Sequence, residues 1–265
     1  MAHGKSPSLA AVLLTAACLA SPLHAQQAPN TTAFVPDTIS AEAQAAMQAL
    51  TKMGWEQRRF PQPDDVAGWK RLRDAQLAGQ VGPGEKVAAR EGVTLQDKML
   101  GGVPVLEIVP GQVKDSKRVI LYTHGGAYTM SSARGRPLAM PSLARHTGLK
   151  VISVDYTTAP AADWRKIQGQ VVAVIKALLA QGYAMDRIAL IGDSAGGGLA
   201  LSTVQNLRQQ GLGMPAALVL WSPWADLTDR GDTAVTLKDA DPILSYDLML
   251  KNSALAYANG LCLLY

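Results

Sequence analysis

The chain has 265 residues, 48% of them hydrophobic and 17% charged, which suits one globular domain with a substantial core. Its formal net charge of +4 is a mild excess that no Lys/Arg block concentrates, and this argues against nucleic-acid binding. The two cysteines, Cys18 and Cys262, allow no disulfide once the first leaves with a leader, and no Cys/His spacing suggests zinc; no metal and no cofactor is expected.

In chain order, residues 1–25 read as an export signal. "MAHGKS" supplies a positive start, "LAAVLLTAACLA" an apolar stretch, and "SPLHA" a small residue before "QQAPN". The protein is therefore expected to be exported, periplasmic or secreted, with cleavage after Ala25. The apolar stretch is too short to span a bilayer comfortably, so no stable membrane span is expected. A buried N-terminal helix and a lipid-modified Cys18 are the alternatives. Residues 26–36 read as an arm, either flexible or ordered on contact. Ser40 can cap a helix whose Met47, Leu50 and Met53 share a face. Asp64 or Asp65 can cap a second, carrying Val66, Trp69 and Leu72. "GQVGPGE" at 79–85 predicts a break in the chain. Residues 26–85 are thus an arm with helices that serve either as core elements or as a lid over a pocket.

From residue 86 the rhythm changes. Strand-like apolar runs fall at 103–109, 118–123, 150–154, 187–191 and 217–221, with helical patterns at 137–146, 164–181 and 195–210. The first two runs are joined through "PGQVKDSK", too short for a helix, which predicts that they pair antiparallel. The later alternation predicts an α/β class with a mostly parallel sheet and right-handed crossovers, and sites at the carboxyl ends of strands.

Ser194 falls at such an end. Gly192-Asp193-Ser194-Ala195-Gly196 is Gly-x-Ser-x-Gly between the apolar run "RIALI" and the small-residue helix "GGLALSTV". A serine on that sharp turn projects its hydroxyl above the sheet, and flanking glycines let strand and helix approach without side-chain collisions. The helix start directs free amides and positive dipole toward developing negative charge. A second motif, His124-Gly125-Gly126-Ala127, follows the strand "ILYT". Its small residues let successive N–H groups turn inward on an oxyanion. His124 precedes the donor loop and reads as its organiser, not as a base.

"THGGAY", "VDYTTAP", "GDSAGGGLAL" and "SPWADLT", taken as an ordered set over roughly residues 86–260, resemble the hormone-sensitive-lipase-like branch of the α/β-hydrolase fold, the fold-3 esterases. The resemblance implies an α/β-hydrolase domain from residue 86 onward, a helical cap from the early helices, and Ser194 as nucleophile. It implies an oxyanion hole drawn from the His-Gly-Gly loop (Gly125, Gly126 and Ala127) and from Ala195. Gly126 and Ala127 match the donors most closely, and Gly125 shapes the loop. The substrate class it implies is a small-molecule ester of short or medium acyl length. Asp155 and Tyr156 match a structural element. The family's glycine triplet ends here in Ala127, and "VDYTTAPAADW" lacks the usual arginine and acidic residue.

A serine hydroxyl needs a base, and in this fold the order is Ser, then Asp or Glu, then His. The histidines are His3, His24, His124 and His146, and none follows Ser194. His146, in "LARHTGLK", reads as a surface residue. Asp226, Asp229, Asp232, Asp239, Asp241 and Asp247 follow Ser194, but no further strand pair presents them as the family would. Against the family the domain reads as incomplete, C-terminally truncated, with its last strands missing and a sheet edge open. Two classes of function stand: a carboxylic-ester hydrolase, impaired in this chain, or a non-catalytic ligand- or partner-binding homologue. A base supplied by a partner chain is a third case.

Overall fold

The computed structural model describes residues 35–52, 59–79, 81–135, 139–237, 240–241 and 243–259. The leader expected at residues 1–25 and most of the arm lie outside the described residues. Those that are described belong to one compact unit, Thr32–Tyr265.

Two early helices begin where their caps predict. In α1 (Ala41–Lys52) the Ser40 hydroxyl accepts from the Ala43 N–H at 3.2 Å. In α2 (Val66–Ala78) the Asp65 carboxylate accepts from the Gly68 N–H at 2.8 Å. The expected break at 79–85 is overturned, because α3 (Val81–Glu91) runs through it. Pro83 sits in the first turn, where its missing N–H would have no intrahelical partner anyway. Ala88 then buries against the sheet. The boundary expected at 85/86 falls inside this helix.

Among the described residues six strands make one sheet in the order β1-β2-β4-β3-β5-β6. They are β1 (Val93–Leu100), β2 (Val103–Pro110), β3 (Val119–Thr123), β4 (Lys150–Val154), β5 (Ile188–Asp193) and β6 (Ala217–Trp221). The first pairs antiparallel with β2 through a turn at Gly101-Gly102, both at positive φ. Its sequence hides it: Thr94, Gln96, Asp97 and Lys98 are mostly exposed on an edge, and only the end residues Val93 and Leu100 are buried.

The expected pairing of the 103–109 and 118–123 runs is also overturned. Strand β4 lies between them, antiparallel to β2 and parallel to β3. Shortness of the connection excludes a helix but does not require the two strands to be neighbours. Beyond β3 the pairings with β5 and β6 are parallel.

Helices cover both faces. On one, α5 (Trp164–Ala180) and α6 (Ala195–Gln209) pack over the central strands. Ile167, Val171, Val174, Ile175 and Leu178 form the stripe that α5 buries. Each is worth about 1.5–3 kcal/mol relative to exposure. The Asp163 carboxylate starts this helix by accepting from the Lys166 N–H at 2.9 Å. On the other face, α3 and α4 (Met140–Thr147) cover Leu106, Ile108, Ile120 and Tyr122. After β6 come α7 (Asp232–Thr236), a π-helical turn (Tyr246–Leu250) and α8 (Lys251–Ala258). Among the described residues no helix is long and apolar enough to cross a membrane.

Candidate functional site

Strand β5 ends at Asp193 and α6 begins at Ala195, so Ser194 alone makes the turn, at φ 52° and ψ −124°. A non-glycine residue there is strained and persists only when its surroundings hold it. They do. The Ser194 N–H donates to Trp221 O at 3.0 Å, and the Trp224 N–H donates to Ser194 O at 2.8 Å. A Cβ on Gly192 would stand closer than 3.0 Å to Gly196 O, and one on Gly196 closer than 3.0 Å to Thr123 O. The two glycines flanking the serine are therefore required by the contact of strand, helix and loop.

The loop after β3 lies against this turn. The Thr123 hydroxyl donates to Gly196 O at 2.7 Å, and the Gly125 N–H donates to the Asp193 carboxylate at 2.8 Å. The second bond narrows the expected set of oxyanion donors, because the Gly125 amide is already engaged. Its place is that of a loop shaper. Among the described residues no hydrogen bond takes the N–H of Gly126 or Ala127. The Ala195 N–H, first in α6, has no intrahelical acceptor.

His124 is fully buried and stacks on Tyr156, with ring centroids 4.1 Å apart. Its Nδ1 lies 2.8 Å from Gly125 O, and the Tyr156 hydroxyl donates to His124 O at 2.6 Å. Burial holds the Tyr156 phenol well above its usual range, so it remains a neutral donor. The neighbouring Asp155 carboxylate accepts from the Ala133 N–H at 2.8 Å. Both residues of the "DY" pair thus brace loops.

Ala127 and Tyr128 adopt φ 53° and 62°. The Ala127 methyl that replaces the family's glycine is buried with Trp69 of α2, Met130 and Met249. Tyr128 stacks on Tyr257 of α8 at 3.8 Å, and the hydroxyls of Thr129 and Ser253 are 3.2 Å apart. Asn252 of α8 donates to Pro61 O at 3.0 Å. Segments from both ends of the described chain therefore meet above the loop. Trp69 brings α2 against the loop in this buried cluster.

The remaining candidates lie elsewhere or are otherwise occupied. His146 is exposed on α4, with Nδ1 2.7 Å from Ser142 O one turn back. Asp226 accepts from the N–H and hydroxyl of Thr228, and these bonds lower its pKa. Asp241 accepts from the N–H groups of Ile243 and Leu244. Both are turn-forming carboxylates. Among the described residues no side chain is hydrogen-bonded to the Ser194 hydroxyl, and no group of three or more His, Cys, Asp or Glu could hold a metal. Asp193, Tyr122 and Tyr128 contribute to the site without having been singled out by the sequence. The only available signal was their adjacency to the motifs.

With this geometry in view, a family model described as alpha/beta hydrolase fold matches residues 120–260. The acetyl-hydrolase of Streptomyces hygroscopicus is 37% identical over 127 residues, which are 48% of this chain and 42% of that protein. The crystal structure of an esterase from the bacterial hormone-sensitive lipase family is similar with a TM-score of 0.62 at 32% identity, covering 77% of this chain and 71% of that one. Esterase E25 is similar with a TM-score of 0.72 at 25% identity, covering 86% and 71%. The chain spans about half or less of the length of the curated relatives it matches, at 53%, 42% and 44% for three of them.

Proposed function

The chain belongs to the α/β-hydrolase fold-3 family, and from that premise we propose that its site is built for carboxylic-ester hydrolysis through an acyl-enzyme at Ser194. The observation that carries this is the strained turn at Ser194 with two unengaged loop amides, Gly126 and Ala127, on the adjoining strand end. In the proposed reaction the Ser194 oxygen attacks the ester carbonyl and its proton passes to a base. The N–H groups of Gly126, Ala127 and Ala195 receive the negative charge that develops on the carbonyl oxygen. Such preorganised donors stabilise the transition state by several kcal/mol in a water-excluded site. The substrate is a short or medium acyl ester. The acetyl-hydrolase relative and the small-residue loop beneath a capped surface support that choice.

Among the described residues no side chain stands in hydrogen-bond contact with the Ser194 hydroxyl to serve as that base. No histidine follows Ser194 in the 265 residues, and His124 and His146 are bound to their own backbone neighbourhoods. Removing a triad member leaves about 10³–10⁴-fold catalysis over water from binding and oxyanion stabilisation. The 265-residue chain is therefore expected to hydrolyse an activated acetate ester only weakly. Purified wild type, Ser194→Ala and His146→Ala should give similarly weak rates, within about threefold of one another. Robust turnover abolished by Ser194→Ala would reveal a base in the chain, and loss on His146→Ala as well would identify it.

The pocket has its own test. Titrating methylphosphonate into labelled protein should shift the amides of Gly126, Ala127 and Ala195, and shifts confined to α1 and α2 would reject the pocket. The positive start and apolar run of residues 1–25 support export, with a mature chain beginning at Gln26. Mass determination on fractionated cells checks this, and an intact Met1 in the cytoplasm is the contrary result.

A further inference from the structure

Asp193 is the variable residue of Gly-x-Ser-x-Gly, and its carboxylate has a definite place. Oδ1 accepts from the Gly125 N–H at 2.8 Å and from the buried Tyr122 hydroxyl at 2.6 Å. Tyr122 belongs to β3 and Gly125 lies just past its end, so one oxygen at the tip of β5 gathers two donors from the neighbouring strand and loop. A Cβ on Gly125 would stand 2.5 Å from Asp193 Oδ2. Gly125 is a glycine because the carboxylate occupies the space a side chain would need.

We propose that Asp193 is a positioning residue that locks the oxyanion loop to the nucleophile turn, holding Gly125 so that Gly126 and Ala127 present their N–H groups beside Ser194. The proposal rests on reading that loop as the oxyanion hole. Its physical need follows from the backbone. Ala127 and Tyr128 both sit in the left-handed region, and the loop's small residues offer little packing of their own. Donors help a developing oxyanion only if they are fixed before it forms. Two hydrogen bonds converging on one side-chain oxygen, from Gly125 and Tyr122, supply an anchor that the loop's own residues lack. Because Asp193 is covalently next to Ser194, the anchor also sets the distance between donors and nucleophile. The Tyr122 hydroxyl fixes the rotamer of the carboxylate from the other side.

Amide hydrogen exchange on the labelled 265-residue protein tests the lock without requiring turnover. In Asp193→Ala, exchange at the hydrogen-bonded loop amides of Gly125, Thr129 and Met130 should rise about tenfold or more while α5 keeps its protection. Asp193→Asn retains an acceptor and should stay within about threefold of wild type. Unchanged exchange in Asp193→Ala, or Asp193→Asn exchanging as fast as Asp193→Ala, overturns the proposal. Should Asp193→Ala loosen α5 as well, Tyr122→Phe decides. The two donors share Oδ1, so removing one should shift the Gly125 amide proton, and an unmoved resonance overturns the lock. Methylphosphonate separates this from the functional reading. If it binds wild type, its affinity should fall about tenfold in Asp193→Ala, and equal affinity overturns the lock. If it does not bind wild type, the oxyanion reading fails and exchange alone judges the lock.

Discussion

At Ser194 a single residue joins strand to helix at φ 52°, and glycines make that possible in two directions at once. Gly192 admits the backbone of α6, and Gly196 admits the end of β3. A methyl at Gly196 would collide with Thr123 O and His124 O, both backbone atoms that cannot swing aside. Gly196→Ala should therefore destabilise by more than about 4 kcal/mol, in the class of overpacked sites, and show as a large drop in urea midpoint. Gly82, whose added Cβ would meet nothing within 4 Å, is the matched control. Gly82→Ala in α3 should be neutral or stabilising by about 0.5–1 kcal/mol through helix propensity.

Among the elements, α2 is one whose packing partners its own spacing does not name. Its apolar spacing is equally that of a core helix, yet Trp69 buries against Ala127 and Met130 of the loop and Met249 of the π-helical turn. The Trp69 indole N–H donates to Gln62 O at 2.9 Å, so the ring is held by its own entry segment. Trp69→Ala should cost about 3–5 kcal/mol and raise exchange at Met130, whose N–H donates to Gly126 O. Removing the Asp65 cap should cost about 1 kcal/mol and loosen α2 alone, with α5 protected as in wild type. Both are read by hydrogen exchange together with urea unfolding.

For the molecule as a whole, two features govern behaviour in solution. Tyr128 and Tyr156 are buried, and burial pushes both phenols well above the usual range; Tyr257, stacked on Tyr128, is raised in the same direction. A raised folded pKa means that the native state holds its proton longer than the unfolded chain. Stability should be level below pH 10.0, the ordinary tyrosine value, and fall above it as the unfolded state ionises first. Urea midpoints from pH 8 to 11 check the sign at about unit pH resolution, and Tyr156→Phe should flatten the fall. The second feature is β6, which among the described residues has a strand neighbour on one side only. Val219 and Trp221 are 48% and 56% exposed and no charge interrupts the strand, whereas every residue of central β3 is buried. Val219→Lys should reduce light scattering at high concentration with little change in urea midpoint.

Local chemistry determined what the sequence by itself could disclose. The caps at Ser40 and Asp65, the apolar runs of five strands and the glycines around Ser194 act through neighbours a few residues away. Their signals survive in the linear order. The α/β class and the two motif loops were legible for that reason. Tertiary contact decided the rest. β4 inserts between β2 and β3 because parallel pairing and burial reward it, and nothing in "PGQVKDSK" records that. β1 is polar enough along its length to look like a loop until β2 supplies its hydrogen bonds. Helix α3 survives Gly-Pro-Gly because Pro83 falls in its first turn and Ala88 finds the sheet. The bonds from Gly125 and Tyr122 to Asp193 span about seventy residues of sequence, at separations of 68 and 71. A carboxylate's partner across such a distance is chosen by the approach of two strand ends, and only the folded sheet brings those ends together.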